Sequence, residues 1–408
     1  MAGPAAIVGF RPTTPPGHPG WAGPRIAMRA DDTVPGYLRL IEDDVVLADY
    51  VYAPTEPQIE SPRPYALLTT LDGQAATAYR PGDHVWHKGL SLALPDVGPN
   101  NFWGGPTYLR GQGYVQLPNN GTQVHRGFDR IGPLAPPPRT TPVPSTPPLD
   151  PTTPANPGSR LAPTSPTTPA TSIDPASPAN PITRSAPDSP TVPTPSPPQA
   201  TSTAWGEGVG LAERLDWVTQ SGRTIMSELR RLTARRLSGD AWALTWSSRL
   251  TNLSPAPLNF GSPTAHGRDN AGYAGLFWRG PEHFTGGTII GPDGPVGDAA
   301  RGTPGPWLAF TAPDRRDDPG DNGRALRPPV GLLMVDAQPG GPHPWFARSE
   351  EYAGLGPAPF FYDETALAPG ADLQLAAVLV LGGPSVLNHL DAALELAAGL
   401  AGTPPVSQ

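Results

Sequence analysis

Ala241-Trp-Ala-Leu-Thr-Trp-Ser-Ser-Arg-Leu250 alternates between large apolar residues and small or polar ones. One set is Trp242, Leu244, Trp246 and Leu250, and the other is Ala243, Thr245, Ser247 and Arg249. Because successive side chains of a β-strand point to opposite faces of its sheet, the two sets lie on opposite faces. The pattern therefore predicts a half-buried sheet strand.

The segments around this strand carry a similar signal. Residues 225–237, just upstream, also fit a helical period through Ile225, Leu229 and Leu232, but their neighbours favour a strand. Other short apolar segments end at Gly, Pro or Asn, which is typical of all-β proteins. The further predicted strands are residues 37–41, 45–52, 66–71, 75–79, 89–94, 107–110, 113–117, 307–311, 330–335, 344–348 and 373–381. Turns at residues 42–44 and at Asp72-Gly73 predict two hairpins.

Residues 385–398 predict an α-helix, with Ser385 as its N-cap. Many short strands followed by a single helix are typical of an all-β fold. We therefore expect a large antiparallel β-sandwich, similar to a supersandwich, with one C-terminal α-helix.

A long Pro-rich segment interrupts the strand pattern. The chain has 408 residues and 60 prolines, and residues 133–203 are mostly Pro, Thr, Ser and Ala. Such a composition buries too little apolar surface to offset the entropy of ordering, so we expect a disordered insert in a single domain. The predicted divisions are a Pro/Gly-rich arm (1–35), the first part of the sandwich (36–132), the insert (133–203), the second part (204–383), and the helix and tail (384–408).

Composition narrows the function classes. A formal net charge of −8 argues against nucleic acid as a partner, because phosphate binding needs a basic surface. The absence of cysteine excludes disulfides and thiolate metal sites and favours a cytoplasmic protein. The most membrane-like stretch, residues 375–383, is far too short to span a bilayer. The N-terminal residues lack the pattern of a signal peptide. We therefore expect no membrane partner.

Polar chemistry concentrates in Tyr79-Arg-Pro-Gly-Asp-His-Val-Trp-His-Lys-Gly-Leu90, where a loop enters a predicted strand. Two further clusters are residues 259–279 and 343–351. Together they predict a pocket for a polyhydroxylated or anionic small molecule, with imidazoles for proton transfer. The candidate catalytic residues are His84 or His87 as acid or base, His266 as its partner and Glu350 as a second carboxylate. The candidate substrate-binding residues are Lys88, Asn101, Trp103, Arg268, Asn270, Tyr273, Arg279 and Arg348.

Other interpretations of the same residues remain open. His84 and His87 could bind a metal only if their segment is bent, since their odd separation on a strand would place them on opposite faces. No metal motif and no cofactor fingerprint is recognisable, so we predict neither a metal nor a cofactor. Simpler interpretations make Trp86, Trp103, Trp242 and Trp246 core residues and Arg230, Arg231, Arg235 and Arg236 a solvated face.

Several further motifs stand out, namely Ser61-Pro-Arg-Pro-Tyr65, residues 80–90, Asn101-Phe-Trp-Gly-Gly105, Gly261-Ser-Pro-Thr264, residues 270–279 and residues 344–350. Together they resemble the bacterial PmoA-like family, whose members carry the name methane oxygenase. Proteins of this kind are also similar to the galactose-mutarotase-like supersandwich, whose members bind or transform carbohydrates. The second resemblance implies an expected carbohydrate ligand.

Two main hypotheses follow. The first is an enzyme that acts on a carbohydrate, polyol or sugar acid by His-mediated proton transfer, as an isomerase, lyase or hydrolase. The second is a non-catalytic binding or scaffold module whose Pro-rich insert contacts partners through extended polyproline segments. The family name implies a third, a metal-dependent oxygenase. In the first, we expect His84 or His87, but not both, to face His266 and Arg268 across the mouth of the sandwich.

Overall fold

The structure, a computed structural model, describes residues 29–134, 208–314 and 329–401. The predicted N-terminal arm, the Pro-rich insert and the C-terminal tail lie for the most part outside these ranges. Residues on both sides of the insert meet in one sheet, where Pro133 pairs with Val209. The predicted domain boundaries themselves stay a prediction.

The described part of the chain contains 22 strands. The first nine are β1 Arg29–Asp31, β2 Tyr37–Glu42, β3 Val45–Val51, β4 Tyr65–Leu68, β5 Leu90–Ala93, β6 Asp96–Val97, β7 Thr107–Leu109, β8 Gly113–Val115 and β9 Thr122–Pro133. The next eight are β10 Gly208–Val218, β11 Thr224–Arg236, β12 Trp242–Asn252, β13 Leu258–Gly261, β14 Gly275–Arg279, β15 Thr288–Gly291, β16 Gly294–Pro295 and β17 Trp307–Thr311. The last are β18 Gly331–Asp336, β19 Trp345–Arg348, β20 Gly354–Pro357, β21 Thr365–Leu367 and β22 Asp372–Gly382, followed by the helix α1 Leu390–Ala401. Short 3-10 turns span Gln58–Glu60, Glu282–Phe284, Gly297–Ala300 and Val386–His389.

Two large antiparallel sheets form the fold. The first has eight strands in the order β1-β2-β3-β4-β5-β14-β20-β19, and the second has nine in the order β16-β15-β17-β18-β22-β12-β11-β10-β9. A three-stranded sheet, β21-β13-β6, and the hairpin β7-β8 complete the described elements. The predicted antiparallel β-sandwich with one C-terminal α-helix is confirmed.

The core lies between the two large sheets. Tyr50 of the first sheet and Trp246 of the second are fully buried and meet edge to face, with ring centres 6.2 Å apart. Trp242, Leu244, Trp246 and Leu250 all face this core, as the alternation in β12 predicts. Apolar burial of this kind stabilises by about 25 cal/mol per Å² removed from water.

The prediction of a half-buried strand at β12 is wrong at its N-terminal end. Ala243 is buried on the other face of the sheet, in a second apolar cluster with Val378 and Val380. Helix α1 contributes Ala393 and Ala397 to the same cluster. The helix therefore covers the outer face of the nine-stranded sheet. The alternation of residues within one strand cannot predict that a helix packs on its second face.

Three local predictions have clear outcomes. The strand prediction for residues 225–237 is confirmed by β11. The second predicted hairpin reduces to a single bridge between Thr69 and Ala75, and the N–H of Ala78 donates to the carbonyl of Arg279 at 2.9 Å. The Ser385 side chain makes no capping hydrogen bond, since the helix is preceded by a 3-10 turn.

Candidate functional site

A cavity of about 440 Å³ lies on the outer face of the eight-stranded sheet, the face turned away from the sandwich core. Alternation along β14 and β19 explains its position. Trp278 and Trp345 point into the core, whereas Phe277 and Phe346 belong to a separate apolar cluster on the opposite face. We call this space the outer-face cavity. The expected position at the mouth of the sandwich is therefore wrong.

The outer-face cavity brings together residues from all three predicted polar clusters. The predicted residues that line it are His84, His87, Trp103, Arg268, Asn270, Tyr273 and Arg348. Sequence reasoning did not select the remaining side chains of the lining, among them Trp86, Tyr114, Phe346, Glu351 and Tyr352. The clusters thus converge on one concave surface, although most of its aromatic wall was missed.

His84 and His87 lie on the same side of their loop. The N–H of His84 donates to the carbonyl of Pro81 at 3.0 Å, and the N–H of His87 donates to the carbonyl of His84 at 2.9 Å. Two successive turns therefore replace the strand geometry, and a separation of three residues now places both side chains together. Their rings stack with centres 4.6 Å apart and 7° between planes. The expectation that only one of them would face the cavity is wrong.

Hydrogen bonds assign different roles to the two rings. His84 Nδ1 lies 2.8 Å from Asp83 Oδ2, and a carboxylate can only accept, so Nδ1 donates. His87 Nδ1 lies 3.0 Å from Arg279 Nη1, and a guanidinium can only donate, so Nδ1 accepts. In its neutral form His84 therefore has its lone pair on Nε2, and His87 has its proton there.

Electrostatics keep His87 neutral and Asp83 ionised. Burial, together with the charges of His84 and Arg279, lowers the pKa of His87 well below its usual value. Burial raises the pKa of Asp83, but hydrogen bonds from His84 and Arg279 outweigh it, and the pKa of this carboxyl is lowered. Arg279 Nη2 donates to Asp83 Oδ2 at 3.0 Å. The same guanidinium therefore orients both the carboxylate of Asp83 and the ring of His87.

Arg63 ties together the two loops that carry the indoles of the cavity. Its side chain is buried, and it donates to the carbonyls of Trp86 and Trp103, both at 2.8 Å. Burial lowers the pKa of Arg63 to about 10. The motif Ser61-Pro-Arg-Pro-Tyr65 thus supplies a residue that positions the two loops. In the sequence, the only signal of this role was an arginine between two prolines.

Asn101 organises the Trp103 loop from within. Its Oδ1 accepts from the N–H groups of Trp103 at 2.8 Å and Gly104 at 2.9 Å. Gly105, with φ +69°, lies against Trp86, and a Cβ there would come within 2.8 Å of the indole. The glycine pair therefore allows Trp86 to pack directly on the backbone.

The two arginines of the cavity are held by aromatic rings. Arg268 donates to the hydroxyl of Tyr114, and its guanidinium carbon lies 4.6 Å from the ring centre. Arg348 pairs with Glu351 and lies 5.4 Å from the ring centre of Tyr352. Tyr352 also supports Arg279 at 3.9 Å. These contacts fix the planes of the guanidinium groups.

Several predicted site residues lie outside the cavity lining. His266 pairs instead with Asp96 at 3.3 Å and Glu364 at 3.6 Å. Lys88 is fully buried on the other side of its loop, 3.5 Å from Glu56. Glu350 is exposed outside the lining, and its neighbour Glu351 lines the cavity instead. Asn101 and Arg279 support the lining from behind.

No group of three His, Cys, Asp or Glu residues in the described ranges is arranged to hold a metal ion. Within the same ranges, no helix has the length and apolar character needed to cross a membrane.

Comparison with known proteins adds a family and two similar structures. A sequence model of a family of unknown function, DUF6807, matches residues 38–135 and 198–387. No curated protein matches the chain. One similar solved structure is a putative aldose 1-epimerase from Klebsiella pneumoniae subsp. pneumoniae MGH 78578, at 14% identity over 50% of this chain and 59% of that one, with a TM-score of 0.23. Another is the alpha-galactosidase from Lactobacillus brevis, at 10% identity over 90% of this chain and 40% of that one, with a TM-score of 0.32. The chain thus spans less than two thirds of the length of either protein.

Proposed function

The chain belongs to the DUF6807 family, a family of unknown function, and we propose that it is an enzyme that binds a carbohydrate in the outer-face cavity and transfers a proton with His84. The observation that carries this proposal is the pairing of Asp83 with His84 beside a neutral, stacked His87. Carboxylate–imidazole pairs of this kind orient a general base and stabilise the cation that it becomes.

The lining of the cavity supports a carbohydrate ligand. Flat faces of Trp86, Trp103 and Tyr273 can stack on the C–H face of a sugar ring. Asn270 and the arginines supply donors to its hydroxyl groups. A volume of about 440 Å³ is in the range of small-molecule pockets.

The chemistry follows from the two tautomers. The Nε2 lone pair of neutral His84 accepts a proton from the sugar, and Asp83 stabilises the resulting imidazolium through the Nδ1–H. The Nε2–H of His87 donates to the oxygen on which negative charge develops. Because His87 stays neutral, it acts as a hydrogen-bond donor and not as a competing acid.

Isomerisation or elimination is favoured over hydrolysis. A glycosidase of the common type needs a pair of carboxyl groups, one on each side of the scissile bond. Among the described residues that line the cavity, Glu351 is the sole carboxylate, and it pairs with Arg348. Proton transfer at a histidine requires no second carboxylate.

The test is proton NMR in D₂O with a sugar panel consisting of glucose, galactose, their 6-carboxylates glucuronate and galacturonate, and their 6-phosphates. We expect the protein to accelerate anomer interconversion, deuterium exchange at carbon or formation of an unsaturated product with at least one sugar. His84→Asn should lower that rate by about 10²- to 10⁴-fold.

The matched control is His389→Asn, since His389 lies in the 3-10 turn before α1 and far from the cavity in the fold. It should leave the rate unchanged. Binding of a sugar without any acceleration would overturn the catalytic proposal and indicate a binding module instead.

A further inference from the structure

The outer-face cavity carries an excess of positive charge. Arg268 and Arg348 line it, and Arg279 lies directly behind His87. The carboxylates beside these groups are Glu351 and Asp83. Three guanidinium groups against two carboxylates leave one positive charge, in a protein whose formal net charge is −8. Such a local reversal of sign attracts anions.

Arg348 has unused donor capacity. Its Nη1 pairs with Glu351, whose side chain is 72% exposed, so water screens this ion pair. Its Nε is buried and has no hydrogen-bond partner within the described part of the chain. A buried donor without a partner costs about 1–3 kcal/mol. A bound group with two acceptor oxygens could satisfy it, because a guanidinium presents parallel donors to a carboxylate or phosphate.

Arg268 has no carboxylate within ion-pair distance among residues 29–134, 208–314 and 329–401. Its hydrogen-bond partner is the hydroxyl of Tyr114, which lies 2.9 Å from the hydroxyl of Tyr273. Burial and the neighbouring Tyr114 raise the pKa of Tyr273 well above its usual value, so Tyr273 supplies no negative charge near neutral pH. The charge of Arg268 is therefore oriented but not compensated.

We propose that the carbohydrate is acidic, and that its anionic group binds Arg348 with the charge of Arg268 alongside. This inference rests on the proposed function, since it names the class of sugar that the same cavity takes. A carboxylate and a phosphate both have the required chemistry, because each presents at least two acceptor oxygens side by side to a guanidinium group. A hydroxyl of a neutral sugar could accept from the Nε of Arg348, but a neutral sugar would leave the charge of Arg268 without a counter-charge.

Isothermal titration calorimetry with the sugar panel tests the inference, because each neutral sugar has a 6-carboxylate and a 6-phosphate of the same stereochemistry. We expect the acidic members to bind about 10-fold tighter than the neutral ones, as for a charge-assisted hydrogen bond. Preference for the 6-carboxylates would identify a sugar acid, and preference for the 6-phosphates a sugar phosphate. Added salt should reduce the advantage.

Variants assign the effect to the arginines. Arg348→Met should abolish the tighter binding of the acidic sugars, and Arg268→Met should reduce it. Arg348→Lys keeps the positive charge but loses the parallel donors of the guanidinium, so it should retain part of the difference. Arg249→Met is the matched control, because Arg249 pairs with Asp372 on the strands β12 and β22. If Arg348→Met fails to fold, Arg348→Lys and Arg268→Met decide the question.

The outcomes separate the two proposals. Neutral sugars that bind as tightly as acidic ones, or an acidic advantage that survives all three variants, overturn the inference and leave the proposed function standing. Failure of every sugar in the panel to bind overturns both.

Discussion

The imidazole rings of His84 and His87 stack face to face, with centres 4.6 Å apart and 7° between their planes. The hydrogen-bond partners of the two rings differ. His84 donates to the carboxylate of Asp83, whereas His87 accepts from the guanidinium of Arg279. Burial and the neighbouring charges of His84 and Arg279 lower the pKa of His87, so this ring stays neutral.

The first prediction concerns the tautomer of His87. Nitrogen-15 NMR of histidine-labelled protein should show His87 with its proton on Nε2 and an unprotonated Nδ1, and the ring should stay neutral as the pH falls below about 6.5. In that range the unfolded chain binds a proton and the native His87 does not. This group therefore lowers stability as the pH falls. Titration of His87 at its ordinary value would contradict the assignment.

The second prediction concerns Arg63. Arg63→Met should lower the free energy of unfolding by about 2–4 kcal/mol, because it leaves the buried carbonyl of Trp103 and the partly buried carbonyl of Trp86 without this donor. Urea unfolding measures this, with Arg249→Met as the control for removal of a partly exposed arginine, expected within about 1 kcal/mol of the wild type. Equal losses in the two variants would show that Arg63 does not tie the loops together.

The third prediction concerns the contact between Gly105 and Trp86. Gly105→Ala should destabilise the protein by about 1–3 kcal/mol more than Gly111→Ala. Both glycines have positive φ, +69° and +78°, but a Cβ at Gly111 would meet nothing within 4 Å, whereas one at Gly105 would clash with the indole. The comparison isolates packing from backbone strain. Equal unfolding free energies for the two variants would mean that Trp86 can move away freely.

The fourth prediction concerns Lys88, the only lysine in the chain. Burial, helped by the charge of Arg63, lowers its pKa to about 7, although Glu56 and Glu60 oppose the shift. Because Lys88 is the only lysine, carbon-13 NMR of protein labelled at lysine Cε gives a single resonance, which should titrate near that value. A midpoint near the ordinary 10.4 would show that the two glutamates hold the ammonium charged.

The same shift has a consequence for stability. Between about pH 7 and 10.4 the unfolded chain binds a proton that native Lys88 does not, so this group makes stability rise with pH, by up to about 1.4 kcal/mol per unit. Urea unfolding at pH 7.5 and 9.5 should show a smaller rise for Lys88→Met than for the wild type. Parallel behaviour of the two proteins would contradict the shift.

The fold was more predictable from the sequence than the site. Alternation identified β12, and the strands around it outweighed the helical period of β11. Arg279 and Arg348 were selected because of their residue type, and the alternation in their strands already separates a core face from an outer face. The cavity on the outer face is formed by loops that lie far apart in the chain, so no local pattern reveals its position.

Within the site, local turns and bends caused the errors. The spacing of His84 and His87 was interpreted as that of a strand, whereas two successive turns bring the rings together. Glu350 was selected instead of Glu351. A bend after β19 points Glu351 toward Arg348, and no residue pattern in the sequence predicts that bend. Asp83 was in the polar stretch before β5, but its role depends on Arg279, which lies almost 200 positions further along the chain.

The most direct test of the central claim is a titration of the histidine-labelled protein with the sugar panel, followed by nitrogen-15 NMR. Resonances are assigned from the single variants His84→Asn, His87→Asn and His389→Asn. If a sugar binds in the outer-face cavity, the signals of His84 and His87 shift with its concentration, while that of His389 stays in place. Shifts confined to other histidines, or none with any sugar, would contradict the account.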